Sequence, residues 1–134
     1  MNNFEIDHLG IAVRSIDAAL RFYRDTLGMA VASRERVEHE GVEVAMLPAA
    51  GSRLELLEPS SPQSTIAKFL DKRGEGLHHV ALRVPDLHAA AGRLREQGAR
   101  ILNEPRQGAG GHLYVFVHPA STGGVLLELI QQEH

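Results

Sequence analysis

Short apolar segments alternate with polar positions along this chain and mark its strands. Residues 6–13 and 77–84 each carry apolar side chains at alternate or successive positions, which is typical of strands buried on at least one face. Apolar residues at helical spacing follow in residues 16–23 and 87–94. Each half of the chain is therefore expected to begin with a strand and to continue with a helix.

The two halves repeat one pattern of polar residues as well as of apolar ones. His8 and His79 take equivalent places in the two first strands, 71 positions apart, and Glu55 and Glu128 take equivalent places in the last strands, 73 positions apart. Landmarks that keep their order and nearly constant spacing indicate a duplication. Each copy reads as a strand, a helix and three further strands.

The copies cover approximately residues 4–59 and 76–131, and a short helix over residues 65–72 lies between them. Turns rich in Pro, Gly and Ser separate the third and fourth strands of each copy. The pattern predicts an α+β fold with two mostly antiparallel half-sheets. A chain of 134 residues has the length of one ordinary domain, so we expect residues 1–134 to form a single domain made of two repeats.

Composition excludes several classes of protein and adds one candidate chemistry. The formal net charge is −3 and aromatic residues are few, which argues against a nucleic-acid partner. Short apolar runs, an N-terminus without signal-peptide features and the lack of cysteine predict a cytoplasmic protein with no membrane partner, disulfide or thiol nucleophile. The eight histidines point to metal binding or proton transfer, for which imidazole is well suited near neutral pH.

The two strand histidines are expected to face away from the helices. Side chains alternate across a strand, so His8 shares a face with Gly10 and Ala12. By the same rule His79 shares a face with Ala81. These small neighbours leave room for a ligand above the sheet.

Glu55 and Glu128 interrupt strands that are otherwise apolar. A buried carboxylate is costly unless a partner neutralises it, and a divalent cation does so directly. Taken singly, a strand histidine is more often a core residue and a strand glutamate more often faces water. Their recurrence at equivalent places favours a shared site, and imidazole with carboxylate suits Zn, Fe, Mn, Co or Ni. The sequence thus predicts a metal held by His8, His79 and Glu128, with Glu55 as a fourth ligand.

Glu43 is a further carboxylate in an apolar strand, residues 42–46. Its equivalent in the second copy is Tyr114, so it is not repeated as the predicted ligands are. This asymmetry suggests a task other than metal binding, such as acid–base catalysis. The alternative is a solvent-facing strand residue.

With these motifs the chain resembles the methylmalonyl-CoA epimerase family of the vicinal oxygen chelate superfamily, which also contains glyoxalase I and the extradiol dioxygenases. The Gly-Leu-His-His and Gly-Gly-Val-Leu-Leu-Glu-Leu segments favour the epimerase branch, whereas the His and Glu positions are shared by the superfamily. The matching segments extend over nearly the whole chain, at residues 6–13, 54–59, 76–81, 116–119 and 123–129.

The resemblance implies two βαβββ repeats forming an open cup-shaped mixed sheet around a metal site, usually in a homodimer. It implies one divalent ion (Co, Mn, Ni, Zn or Mg) bound by His8, Glu55, His79 and Glu128, and it implies Glu43 and Glu128 as acid and base. The implied reaction is the interconversion of (2R)- and (2S)-methylmalonyl-CoA, an acyl-CoA substrate. The C2 proton would move through a metal-stabilised enolate.

Other functions of the same fold stay open. A glyoxalase I-type lyase would use a similar metal site on a glutathione hemithioacetal. An Fe(II) extradiol dioxygenase also uses two His and one Glu, but a fourth carboxylate ligand would crowd the positions that its substrates need. A non-catalytic small-molecule binder of this fold commonly lacks the metal ligands. Many epimerases have a lysine where this chain has Ala120, so the residues that contact CoA are not predicted.

Overall fold

The computed structural model describes residues 4–133. Over this range the α-helices are α1 Ile16–Leu20, α2 Thr65–Arg73 and α3 Leu87–Glu96, and the strands are β1 Glu5–Ala12, β2 Ser33–Val37, β3 Val42–Ala49, β4 Ser52–Pro59, β5 Gly76–Val84, β6 Arg106–Gln107, β7 Leu113–Val117 and β8 Leu127–Gln131. This order confirms the α+β class and the two βαβββ repeats. Among the described residues, helices long and apolar enough to cross a bilayer are absent.

The chain divides into two compact units that differ from the predicted repeats at their edges. One unit is Leu9–His78, called here the central unit. The other combines the described residues up to His8 with those from His79 onward and is called the terminal unit. The division falls inside β1 and inside β5, so the start of β1 belongs with the second repeat. His8 and His79 therefore lie in the same unit.

In the central unit the strand order is β2-β3-β4-β1. Strand β4 runs antiparallel to β3 and parallel to β1. Ala45 and Leu47 of β3 and Leu56 of β4 are fully buried in a core that α1 completes with Ile16 and Leu20. Helix α1 continues as π-helical turns over Arg21–Thr26, three residues beyond the predicted end of the helix.

In the terminal unit the strand order is β5-β8-β7-β6. Strand β8 runs parallel to β5 and antiparallel to β7. Val115, Leu129 and Val84 pack with Leu87 of α3 in one buried cluster. Each unit thus places its apolar core between one face of the strands and a helix, which leaves the other face for polar side chains.

Helices α1 and α3 begin in the same way. Ser15 caps α1 and Asp86 caps α3, each accepting a hydrogen bond from a backbone N–H of the first turn. A strand side chain satisfies a second N–H in each case. Glu58 Oε1 accepts from the first residue of α1 at 2.7 Å, and Gln131 Oε1 accepts from the first residue of α3 at 2.8 Å. The repeat extends to these strand-to-helix contacts, which the sequence did not predict.

Candidate metal centre

Three buried side chains converge within the terminal unit. His8 on β1, His79 on β5 and Glu128 on β8 are 3%, 5% and 7% exposed. The Nε2 atom of His8 lies 3.0 Å from Nε2 of His79 and 3.2 Å from Oε1 of Glu128. Nε2 of His79 lies 3.0 Å from the same oxygen. Three potential metal-ligand atoms thus form a compact triangle.

The register of β5 and β8 explains why two of these side chains meet. Ala81 of β5 pairs with Glu128 of β8, and His79, two positions before Ala81, lies on the same face. That face is opposite to the core beneath α3, as alternation predicted. Ala81 is fully buried and small, and Phe116 packs edge-on against the His79 ring at a centroid distance of 5.4 Å. Ala81 and Phe116 therefore pack closely around the His79 side of the site.

Two opposed effects set the pKa of Glu128, and this pKa decides its charge. Burial raises the pKa, because it disfavours the charged form. Hydrogen bonds and charge from His79 and His8 outweigh burial, and they lower the pKa from 4.5 to about 2. Glu128 is therefore a carboxylate at neutral pH, the form that binds cations.

The triangle fits the requirements of a divalent cation. Two Nε2 atoms 3.0 Å apart repel each other unless a proton or a cation lies between their lone pairs. With bonds of about 2.1 Å, ligand atoms at right angles around an ion lie about 3.0 Å apart. Two imidazoles and one carboxylate suit several divalent metals. This buried group can hold a metal ion.

The second ring nitrogen of His8 is also held. Nδ1 of His8 lies 2.7 Å from Oδ2 of Asp7, and the Asp7 side chain is buried. Arg83 places its Nε atom 3.2 Å from the other carboxylate oxygen of Asp7. Arg83 Nη2 also donates a hydrogen bond to the backbone oxygen of Ile6 at 3.2 Å. His8 is thus supported by a carboxylate that is itself supported by an arginine.

The sequence did not predict the contact of Asp7 and Arg83. The equivalents of Asp7 and Arg83 in the other repeat are His78 and Ala12, so comparison of the two copies gave no indication of a shared role. The one available signal was the position of an aspartate directly before a predicted ligand, His8.

Glu55, the predicted fourth ligand, belongs to the central unit. It is a buried residue of β4 whose Oε2 atom lies 2.9 Å from Nε of Arg53. Glu55 pairs in register with Met46 of β3 and with Gly10 of β1, on the face opposite to α1. It therefore lies on the face away from α1, and its carboxylate forms an ion pair there with Arg53.

Glu43, the predicted acid or base, lies on the other face of the central unit's strands. Ala45 packs in the core beneath α1, and Glu43, two positions earlier on β3, shares that face. Arg34 Nη2 lies 2.6 Å from Oε2 of Glu43, and Arg34 Nη1 lies 2.6 Å from Oδ1 of Asp17 on α1. The carboxylate of Glu43 therefore faces a helix and not the face that carries Glu55, and its expected acid–base role stays a prediction.

Comparisons with known proteins bear on what this site does. Residues 7–116 match the model of the Glyoxalase/Bleomycin resistance protein/Dioxygenase superfamily. An ethylmalonyl-CoA/methylmalonyl-CoA epimerase of Cereibacter sphaeroides is 40% identical over 129 residues, with 94% of this chain and 96% of the relative covered.

Two solved structures extend this similarity to three dimensions. Methylmalonyl-CoA epimerase from Mycobacterium tuberculosis matches with a TM-score of 0.90 and 42% identity, covering 96% of this chain and 88% of that one. A variant of Streptomyces coelicolor methylmalonyl-CoA epimerase, in complex with 2-nitronate-propionyl-CoA, matches with a TM-score of 0.91 and 42% identity, covering 96% and 94%. The similarity in sequence and in fold therefore extends over nearly the whole length of the chain.

Proposed function

Because this chain belongs to the methylmalonyl-CoA epimerase family of the Glyoxalase/Bleomycin resistance protein/Dioxygenase superfamily, we propose that it interconverts (2R)- and (2S)-methylmalonyl-CoA. One observation carries the proposal. A buried triangle of His8, His79 and Glu128 occurs in a chain that has several relatives, 36–40% identical over most of its length, named for this reaction. The acyl-CoA substrate is proposed from those relatives, while a homodimer and a cytoplasmic location stay predictions.

We propose that His8, His79 and Glu128 hold one divalent cation (Co, Mn, Ni, Zn or Mg). When bound, such an ion supplies positive charge that stabilises an enolate oxygen. The depressed pKa of Glu128 supports this assignment, because an anionic ligand is ready at neutral pH. Glu55 as a fourth ligand stays a prediction, since Arg53 is the partner that the central unit gives it.

Epimerisation at C2 needs a proton to leave one face of the carbon and to return on the other. A base takes the C2 proton, the electrons of the C–H bond move towards the thioester oxygen, and an acid then donates a proton to the opposite face. We assign one of these steps to Glu128. Its Oε1 atom faces both histidines, so Oε2 is the atom that we propose for proton transfer. Glu43 is not assigned the other step, because it faces α1.

The test is exchange of the C2 proton with solvent. The protein is loaded with Co²⁺ and incubated with methylmalonyl-CoA in D₂O, and deuterium at C2 is followed by NMR. We expect rapid incorporation by the wild type, and loss of at least about 100-fold of the rate in Glu128→Gln, as removal of an acid–base group typically costs. The same preparations are assayed on a glutathione hemithioacetal.

Two outcomes would contradict the proposal. One is a folded, cobalt-loaded wild type that leaves the C2 proton in place. The other is efficient turnover of the hemithioacetal without exchange at C2, which would favour the lyase instead.

A further inference from the structure

Two aromatic side chains of β7 lie on the face of the terminal unit that carries Glu128. Phe116 pairs directly with Glu128 of β8, so both side chains point to that face, and Tyr114 lies two positions earlier on the same face. We propose that Phe116, backed by Tyr114, is a specificity-determining residue that limits the size of the group on C2 of the substrate. The proposal rests on the proposed function and concerns the choice between substrates.

Phe116 is the apolar side chain of β7 and β8 that a ligand at this face can reach. The apolar residues of these two strands on the face of Glu128 are Tyr114, Phe116 and Ile130. Tyr114 and Ile130 are both 4% exposed, whereas Phe116 is partly exposed. The Phe116 ring also lies edge-on to the ring of His79, with 5.4 Å between the centroids. A group bound beside Glu128 and His79 therefore contacts Phe116.

The substituent on C2 is such a group. Glu128 is proposed to move the C2 proton, and the substituent is bonded to the same carbon atom. Side chains directly opposite each other on neighbouring antiparallel strands have Cβ atoms about 4.5–5.5 Å apart, so a carbon that Glu128 reaches lies beside the Phe116 ring. The ring thus forms one boundary of the space open to the substituent.

Tyr114 prevents the Phe116 ring from moving away along β7. The two rings are in edge contact, with 5.5 Å between their centroids and 74° between their planes. The backbone of Gly108 covers the Tyr114 ring in turn, since a Cβ atom at Gly108 would lie 3.0 Å from Cδ1 and Cε1 of the ring. The Gly108 N–H donates to the backbone oxygen of His112 at 2.9 Å, which holds this segment in place. Tyr114 therefore has little room to yield.

The backbone of Phe116 is also fixed. Asn103 Oδ1 accepts a hydrogen bond from the Phe116 N–H at 2.8 Å, and Asn103 Nδ2 donates to the backbone oxygen of Tyr114 at 3.2 Å. The N–H of Leu102 donates to the backbone oxygen of Phe116 at 2.8 Å. The Asn103 amide thus takes the place of a neighbouring strand. Both the ring and the backbone of Phe116 are held, so this boundary is rigid.

A rigid boundary makes an added methylene group costly. Ethylmalonyl-CoA carries one methylene group more on C2 than methylmalonyl-CoA, and one methylene group in an apolar pocket changes kcat/KM by about 10–200-fold. We expect the cobalt-loaded wild type to prefer methylmalonyl-CoA by at least about 10-fold in kcat/KM, measured as deuterium incorporation at C2 by NMR. Phe116→Leu removes the outer part of the ring, and its preference should fall to within about threefold.

Further variants separate a size limit from a general loss of structure. Tyr114→Leu removes the backing and leaves Phe116 in place, so the preference should fall several-fold, whereas Tyr114→Phe keeps the ring and should keep the preference. Phe22→Leu makes the same change at an exposed phenylalanine of the central unit and should also keep it. A merely structural role slows both esters alike and leaves their ratio unchanged. Calorimetric titration gives a second readout, in which the ratio of the two Kd values should shift in the same direction.

The proposal is overturned if the wild type exchanges both esters with equal kcat/KM, or if folded, cobalt-loaded Phe116→Leu keeps the wild-type preference. If Phe116→Leu does not fold, Phe116→Met replaces it under the same criterion. An unchanged preference in Tyr114→Leu would overturn the backing by Tyr114. A wild type that exchanges neither ester rejects the proposed function instead. In that case equal Kd values for the two esters, or no binding of either, would overturn the size limit as well.

Discussion

Among single residues, Glu128 combines deep burial with a full negative charge. Such a group is tolerated only because two histidine side chains contact it, at 3.0 and 3.2 Å. Removal of one histidine leaves this buried charge with one histidine contact instead of two. The residues of the triangle therefore affect stability as well as chemistry, and the two effects have to be measured separately.

The depressed pKa of Glu128 predicts a pH dependence of stability. The folded-state pKa of about 2 lies below the ordinary 4.5, so the unfolded chain takes up a proton first as the pH falls. The stabilisation is complete above about pH 4.5 and is lost as the pH falls towards 2. In urea unfolding of metal-free protein, the free energy of unfolding should fall more steeply in this window for the wild type than for Glu128→Gln. The extra slope is at most about 1.4 kcal/mol per pH unit, and parallel curves would contradict this account.

Glu43 provides a second prediction for a single residue. Because its carboxylate faces α1 and pairs with Arg34, Glu43→Gln should retain C2 exchange within about threefold of the wild type. Loss of a partly exposed ion pair should lower the free energy of unfolding by about 0.5–1 kcal/mol. Glu128→Gln, assayed beside it, should lose most of the exchange rate. A Glu43→Gln protein with normal metal content but about 100-fold slower exchange would restore the acid–base role that the resemblance implied.

Of the four predicted ligands that recur in both repeats, three lie together within the terminal unit. His8, His79 and Glu128 were proposed as neighbours because equivalent positions of a duplicated unit converge, and the structure brings their ligand atoms within 3.2 Å. The orientation of Glu43 was not predictable in the same way. Val42, Val44 and Ala45 are all buried, so the apolar pattern of β3 does not distinguish its two faces.

At the level of elements, periodicity located the strands and helices but not their details. The helix predicted over residues 16–23 is an α-helix only to Leu20 and then has π-helical turns, and apolar spacing does not separate these two geometries over so few residues. The contacts of Glu58 and Gln131 with helix starts were also missed. Their partners are backbone N–H groups more than 40 positions away, which leave no signal in side-chain pattern.

Strand β1 contributes residues to both compact units. Residues up to His8 belong to the terminal unit, and residues from Leu9 belong to the central unit. A repeat boundary read from the sequence assigns the whole strand to the first copy. The structure instead groups His8 with His79 and Glu128, so the triangle is built within one compact unit from residues near both ends of the chain.

For the molecule as a whole, this arrangement couples metal binding to the stability of the terminal unit. The ligand triangle requires His8 from β1 beside His79 and Glu128, and an unfolded chain does not hold these side chains together. A cation that binds the folded state alone stabilises it by about 2.7 kcal/mol at a free concentration 100 times its Kd. We therefore expect Co²⁺ to raise the free energy of unfolding of the wild type by about that amount, measured by urea unfolding at fixed free cobalt.

Variants of two histidines decide whether this gain comes from the triangle. His79→Ala should lose nearly the whole increment, because it removes one of the three ligand atoms, although its stability without metal can also change. His39→Ala removes an exposed histidine of the central unit and should keep the increment, which controls for weak binding of cobalt to surface imidazole. An equal cobalt increment in wild type and His79→Ala would place the ion elsewhere. The increment has to be compared within each variant, with and without cobalt, because that difference cancels the cost of the cavity that His79→Ala creates.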